Sequence, residues 1–159
     1  MDYTVAGLPL HILLNHAVVV LVPLTAGAVA LHALWPVAAR RLGIVTPLAA
    51  LVVLVLTPIT VQAGEALERA VGVTPAIQRH HDLGEMLLPW VIGLFVVAVA
   101  EWLWSHYGPG WGERMRPRTR TAIRAALAVA AVVVAAGSVV MIVLIGDAGA
   151  RAVWSGVVG

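Results

Sequence analysis

Residues 122–145 read AIRAALAVAAVVVAAGSVVMIVLI. The stretch holds a single charged residue, Arg124, one turn inside its start. A helix needs about 20 mostly apolar residues to cross the hydrocarbon layer of a membrane, and this segment is long enough. Its many alanines, with Gly137 and Ser138 near the middle, allow close approach of neighbouring helix backbones. The segment therefore predicts a membrane-spanning helix that packs against other helices.

Three further stretches have the same character. Residues 12–34 and 44–64 contain no Asp, Glu, Lys or Arg, and residues 83–104 carry only Glu85 and Glu101, near their two ends. Short connections between such stretches make neighbouring helices antiparallel. We predict an all-α fold, a four-transmembrane-helix antiparallel bundle that forms a single integral membrane domain over residues 1–159. No clear internal repeat is visible in the sequence.

The overall composition excludes several classes of protein. Of 159 residues, 61% are apolar and 11% are charged, whereas a soluble domain carries about a quarter charged residues. A soluble enzyme, a disordered chain and a nucleic-acid-binding module are therefore excluded. The chain has no cysteine, which excludes disulfides, thiolate metal sites and a cysteine nucleophile.

The distribution of arginine predicts an orientation. All ten basic residues are arginine, and seven of them fall on one side of the predicted membrane. These seven are Arg40, Arg41, Arg114, Arg116, Arg118, Arg120 and Arg124. Because positive loops stay in the cytoplasm, we expect both termini to be extracytoplasmic. The protein is then a multi-pass protein of the bacterial inner (cytoplasmic) membrane, with the lipid bilayer as its surroundings.

Polar side chains in or next to the spans cluster at the predicted extracytoplasmic end. Ionisable residues are costly inside a membrane and are functional candidates there. The cluster comprises His11, Asn15, His16, Gln62, Glu65, His80, His81, Asp82, Glu85 and Asp147. The opposite half offers His32, Glu101 and His106, which are less concentrated.

Four of these residues are the candidate cofactor ligands: His11 and His16 on the first helix, and His80 and His81 on the third. Imidazole suits zinc, copper and iron, and a pair on facing helices can bind haem iron axially. We prefer the pair His16 and His81, because continuous helix follows both. Glu85 lies one turn after His81 and can orient that imidazole.

Three functions remain open at this point. The leading hypothesis is a small membrane haem b protein for electron transfer, with a redox partner protein or a quinone, and with homo-oligomerisation allowed. The second is a non-haem copper or zinc site built from His16, His81, Glu85, Glu65 and Asp147. The third is a structural or accessory subunit without a cofactor. The sequence identifies no catalytic residue, and enzyme activity stays open.

Two stacked haems are disfavoured by distance. His11 and His32 are 21 residues apart, which is about 31 Å along a helix. That separation equals the hydrocarbon thickness of about 30 Å, so a single site near the extracytoplasmic face is expected.

Three short segments resemble a bacterial membrane family known as domain of unknown function 2231. They are Gly7–His16, with its two spaced histidines, Gln78–Gly84, and the tail Gly146–Trp154. Ile12, Asp147 and Ala150 stand where the family commonly has proline, a histidine or aromatic residue, and glycine. The resemblance implies a four-helix inner-membrane protein with outward-facing polar motifs. Some members of that family are fused to Rieske-type iron–sulfur domains, which implies electron transfer.

Overall fold

The computed structural model describes residues 4–5, 8–112 and 115–154. Two two-residue strands, β1 (Thr4–Val5) and β2 (Leu8–Pro9), pair antiparallel before the first helix. The helices are α1 (Leu10–Leu34), α2 (Pro36–Leu42), α3 (Val45–Val71), α4 (Pro75–Gly112) and α5 (Pro117–Trp154). Helices α1, α3, α4 and α5 are long and apolar enough to cross a membrane. The predicted all-α fold with four long apolar helices is confirmed.

The four long helices form a square bundle. Helix α1 packs beside α3 and α5, α4 also packs beside α3 and α5, and α1 and α4 lie on one diagonal. We call the end that holds the starts of α1 and α4 the histidine end, and the opposite end the arginine end. Large apolar side chains such as Leu24 and Val129 are about two-thirds exposed, as expected of surfaces that face lipid tails.

The helices extend past the predicted spans at the histidine end. Helix α3 continues to Val71, and α4 already begins at Pro75, where the Thr74 hydroxyl accepts a hydrogen bond from the Ile77 N–H at 3.2 Å. Thr74 therefore caps the helix, and proline suits its first position. Hydropathy missed these turns because their charged side chains are solvated while the backbone remains helical. The extension brings the end of α3 next to the start of α4.

The connection between the first two spans is also largely helical. Most of it is the short helix α2, which begins at Pro36 and ends at Leu42, with Gly43 as its C-cap residue. Gly43 has φ 43°, a left-handed conformation that glycine adopts without steric cost. The short helix places Arg40 and Arg41 in its last turn at the arginine end.

The bundle contains an internal repeat that the sequence did not reveal. The hairpin of α1 and α3 corresponds to the hairpin of α4 and α5. A shift of 69 residues pairs buried positions of α1 with buried positions of α4: Val18 with Leu87, Val22 with Val91, Thr25 with Leu94, Val29 with Ala98, and His32 with Glu101. A shift of 85 residues likewise pairs α3 with α5: Thr46 with Ala131, Ala50 with Ala135, Val53 with Ser138, Thr60 with Ile145, and Ala63 with Ala148. Such registers indicate two hairpins related by an axis along the bundle, as in parallel membrane repeats.

Candidate metal and cofactor site

A large cavity lies at the histidine end, where all four long helices converge. Its volume is about 960 Å³, and most of its lining is apolar, including Val18, Leu87 and Ile142. Cavities of roughly 300–1,000 Å³ with an apolar lining and a few polar groups are typical of cofactor and small-molecule sites. All four candidate histidines line it: His11, His16, His80 and His81.

His11 and His80 meet inside this cavity. Their ring centroids are 6.1 Å apart and their planes are nearly perpendicular, at 84°. His11 donates from Nδ1 to the Thr60 carbonyl at 3.0 Å, and His80 donates from Nδ1 to the Ile145 carbonyl at 3.0 Å. Thr60 and Ile145 occupy corresponding positions of α3 and α5. The two histidines and their tethers are therefore corresponding parts of the repeat.

A glycine makes room for each of these rings. A Cβ on Gly64, four residues after Thr60, would lie 2.9 Å from His11 Cε1. A Cβ on Gly149, four residues after Ile145, would lie 3.1 Å from His80 Cε1. Contacts this short require the neighbouring ring to shift. Each histidine thus packs across the bare backbone of the helix that accepts its hydrogen bond.

The tethers determine which nitrogen is free. Because Nδ1–H is donated to a carbonyl, the neutral imidazole keeps its lone pair on Nε2. No hydrogen bond within the described residues reaches Nε2 of His11 or His80. A histidine that ligates a metal almost always donates its other N–H to such an acceptor. Both rings thus have the bonding pattern of a metal ligand.

A second group lies at the rim of the cavity, around His81. Ligand atoms of Glu65, His81 and Glu85 all lie within 4.8 Å of one another, so these residues could hold a metal ion. His81 donates from Nδ1 to Glu68 Oε2 at 3.0 Å, and its Nε2 lies 3.5 Å from Glu85 Oε1. Nε2 of His81 therefore faces a carboxylate. One imidazole and two carboxylates thus converge at one point, and Glu68 holds the imidazole in place through Nδ1.

The two histidines of the preferred pair both line the cavity, but they hydrogen-bond to different partners. His16 is exposed and donates from Nδ1 to the Ile12 carbonyl of its own helix at 2.7 Å. His81 is instead engaged with Glu68 and Glu85. Asp147 pairs with Arg151 at 2.8 Å, one turn further along α5. Of the five residues predicted as metal ligands, Glu65, His81 and Glu85 share one site, whereas His16 and Asp147 lie outside it.

Sequence reasoning missed several parts of this end. Glu68 is the hydrogen-bond partner of His81, and its spacing of three residues from Glu65 on one helix was an available signal. The carbonyls of Thr60 and Ile145 leave no trace in a sequence. Gly64 and Gly149 were weak signals of a packed ring, because each is a glycine near the end of an apolar helix.

The arginine end holds two buried polar residues that are not among the predicted ligands. His32 and Glu101 are 5% and 3% exposed. His32 Nδ1 lies 3.3 Å from Thr46 Oγ1. His32 Nε2 and both carboxylate oxygens of Glu101 are buried without a hydrogen-bond partner. His32 and Glu101 are also corresponding residues of the repeat.

Comparisons of the chain with protein-family models, with curated proteins and with solved structures gave no match. The resemblance to domain of unknown function 2231 therefore stays a prediction. The function must be argued from the chain's own residues, which form a membrane-type helical bundle with a His/Glu group that could bind a metal.

Proposed function

We propose that this protein is a small membrane electron carrier that holds one b-type haem at the histidine end, with His11 and His80 as axial ligands. The observation that carries the proposal is the matched pair of imidazoles, each tethered through Nδ1 and each with Nε2 free. This pair replaces His16 and His81 as the preferred ligands.

The geometry supports a shared metal. A metal–imidazole nitrogen bond is about 2 Å long. The ligating nitrogen lies about 1 Å from the centre of its ring, so each ring centre is about 3 Å from the metal. Two imidazoles that share one ion from opposite sides then have centroids about 6 Å apart. The centroids of His11 and His80 are 6.1 Å apart. The surrounding cavity of about 960 Å³ is large and apolar, which suits a flat hydrophobic macrocycle better than a bare ion.

Haem iron would supply one-electron redox chemistry, and the chain would supply ligation and surroundings. The carbonyls of Thr60 and Ile145 accept the Nδ1–H bonds, which holds both rings in place with Nε2 as the nitrogen available for a metal. Residues such as Val18, Leu87 and Ile142 give the cavity a mostly apolar lining. Burial of this kind is one of the ways in which a protein sets a haem potential.

We further propose the bacterial inner membrane as the location, with the histidine end extracytoplasmic. Six of the seven arginines predicted on the cytoplasmic side lie at the opposite end among the described residues, and they support this orientation through the positive-inside rule; Arg114 lies outside the described residues. A redox partner protein would then exchange electrons at the extracytoplasmic face. Homo-oligomerisation is compatible with the lipid-facing apolar surface.

The visible spectrum of the protein purified in detergent tests the haem proposal directly. We expect a sharp Soret band, and split bands after reduction with dithionite, with about one haem per chain by pyridine haemochrome assay. A colourless protein after expression with haem precursor supplied would contradict the proposal.

The rim favours a second candidate function, a non-haem zinc or copper site. The observation that favours it does not involve the pair His11 and His80: the ligand atoms of Glu65, His81 and Glu85 lie within 4.8 Å of one another. One imidazole and two carboxylates are a ligand set that zinc accepts. Glu68, bonded to Nδ1 of His81 at 3.0 Å, would orient the imidazole.

Elemental analysis separates the two candidates. Zinc or copper bound in a colourless wild-type protein, and lost in His81→Ala but kept in His11→Ala, would favour the rim site over haem. A coloured protein that keeps its spectrum in His81→Ala would favour the haem site. A colourless and metal-free protein would support the third reading, a structural or accessory subunit.

A further inference from the structure

The arginine end contains a second cavity, which we call the arginine-end cleft. Its volume is about 430 Å³, and its lining comes from α1, α2, α4 and α5. Those helices place it at the seam between α1 and α5, with α4 behind it. Its polar lining includes His32, Glu101 and the three arginines Arg40, Arg120 and Arg124.

The deep part of this cleft holds unpartnered polar atoms. His32 Nε2 and both carboxylate oxygens of Glu101 lack any hydrogen bond, and no ion pair joins the two residues in the described structure. A buried polar group without a hydrogen-bond partner destabilises the folded protein, because it has lost its hydration without replacement. Such groups are retained where a ligand or water completes them. Both residues line the same cleft, so one ligand can reach both.

The charges of the cleft exclude the simplest ligands. Three exposed arginines line it, and they disfavour a bare metal cation at Glu101. At the deep end, His32 and Glu101 are buried away from the exposed arginines, so an anion would find no charged partner there. A neutral molecule that donates hydrogen bonds satisfies both conditions, because a Glu101 oxygen can accept, and so can His32 Nε2 in the tautomer that donates Nδ1–H to Thr46 Oγ1.

The walls favour a flat ring. Trp104 lines the cleft, and its indole lies across Gly108, where a Cβ would approach Cδ2 to 3.1 Å. Ala33, Ala39 and Ala128 add small apolar surface. An aromatic wall gains from a second ring packed against it. In a membrane, the seam between the neighbouring helices α1 and α5 would face the lipid, which would give access to a molecule dissolved there.

We propose that the arginine-end cleft binds the head group of a membrane-soluble hydroquinone, whose two hydroxyl groups donate to His32 Nε2 and to the Glu101 carboxylate. A hydroquinone is neutral and flat, and it carries two O–H donors on opposite sides of its ring. It also partitions into lipid. The inference goes beyond the haem proposal and does not depend on it, because it concerns binding by other residues at the other end of the bundle.

Equilibrium binding of tetramethylhydroquinone tests this inference. The full-length protein is placed in phosphatidylcholine nanodiscs without oxygen, and ligand bound beyond that in empty nanodiscs is measured by chromatography. We expect saturable binding of about one molecule per chain. The dimethyl ether of the same compound, which lacks both O–H donors, should bind at least about 10-fold more weakly, because it cannot donate a hydrogen bond to His32 or Glu101.

Matched variants locate the site. Glu101→Gln and His32→Gln should each weaken binding by about 10-fold, and Trp104→Leu by about 2- to 10-fold through the lost ring contact. The controls are Asp82→Asn, at an exposed position of the same helix at the histidine end, and His106→Gln, an exposed residue one turn past Trp102. Both controls should bind as wild type. Size-exclusion chromatography shows which variants are folded, and Trp104→Leu leaves the buried polar pair intact.

Four results would overturn the inference. They are no saturable binding by wild type, equal binding of the dimethyl ether, unchanged binding in all three cleft variants, and equal loss in Asp82→Asn. Displacement of the ligand by phosphatidylglycerol alone, with no effect of Glu101→Gln, would instead assign the cleft to anionic lipid on the arginines. Haem content of the cleft variants is read in parallel, because its presence or absence reports only on the haem proposal.

Discussion

The two ends of the bundle use corresponding positions of the same repeat in opposite ways. At the histidine end, His11 and His80 are anchored by carbonyls of α3 and α5, and their rings come within 6.1 Å of each other. At the arginine end, the same repeat relates His32 to Glu101. Three side-chain polar atoms of these two residues have no hydrogen-bond partner among the described residues. At each end, the fold places one residue of α1 and one residue of α4 on the same diagonal of the bundle. The side chains at these positions then determine the chemistry of that end.

The largest expected effect comes from the two facing histidines. His11→Ala and His80→Ala should each remove the cofactor of the histidine end, because each deletes one of two ligands. His16→Ala is the matched control, since its ring is exposed and bonded to its own helix. The measurement is haem per chain by absorbance. Full retention of haem in His80→Ala, with loss in His16→Ala, would restore the pair His16 and His81.

Paired and unpaired carboxylates should respond differently to neutralisation. Glu68→Gln removes the charged acceptor of His81 Nδ1. If the rim binds zinc, the affinity should fall by about 10- to 100-fold, as is typical when a group that orients a ligand is lost. Competition with a chromophoric chelator measures it, with Glu101→Gln as control. Equal affinity in Glu68→Gln and wild type would show that Glu68 plays no part in orienting His81.

Removing the unpaired carboxylate should stabilise the apo protein. Glu101→Leu replaces a buried group that lacks partners with an apolar side chain. We expect the free energy of unfolding in detergent to rise by about 1–3 kcal/mol, which is the usual cost of an unsatisfied buried polar group. Thermal unfolding without added ligand measures it, and Glu85→Leu at an exposed position is the control. A destabilised Glu101→Leu protein would show that Glu101 makes stabilising contacts of its own.

The smallest expected effect concerns the glycines behind the histidines. Gly149→Ala places a Cβ 3.1 Å from His80 Cε1, so the ring must turn slightly. An off-rotamer side chain costs about 0.5–1.5 kcal/mol, which corresponds to about 2- to 10-fold weaker cofactor binding. Gly27→Ala is the control, since nothing lies within 4 Å of a Cβ there. Identical haem affinities of the two variants would mean that the ring position is not critical.

Composition and hydropathy sufficed to predict the four apolar helices and their antiparallel order. A charge-free stretch as long as residues 44–64 predicts a membrane-spanning helix, because a single segment inside lipid can pair all its backbone N–H and C=O groups only as a helix. The helical turns past those stretches were missed, since Glu65 and Glu68 on α3 lower the hydropathy without breaking the helix. The cluster of polar residues at one end was also readable, because polar groups are rare in such spans.

Which polar residues meet was decided by the tertiary structure alone. A sequence gives the angle of His11 and His16 around one helix, but the rotation of that helix against its neighbours depends on how all four pack. That packing turns His11 towards His80, leaves His16 exposed, and sets His81 against Glu68. The internal repeat was hidden for the same reason: lipid-facing positions accept almost any apolar residue, so the two hairpins share burial registers and hydrogen bonds while their residues differ.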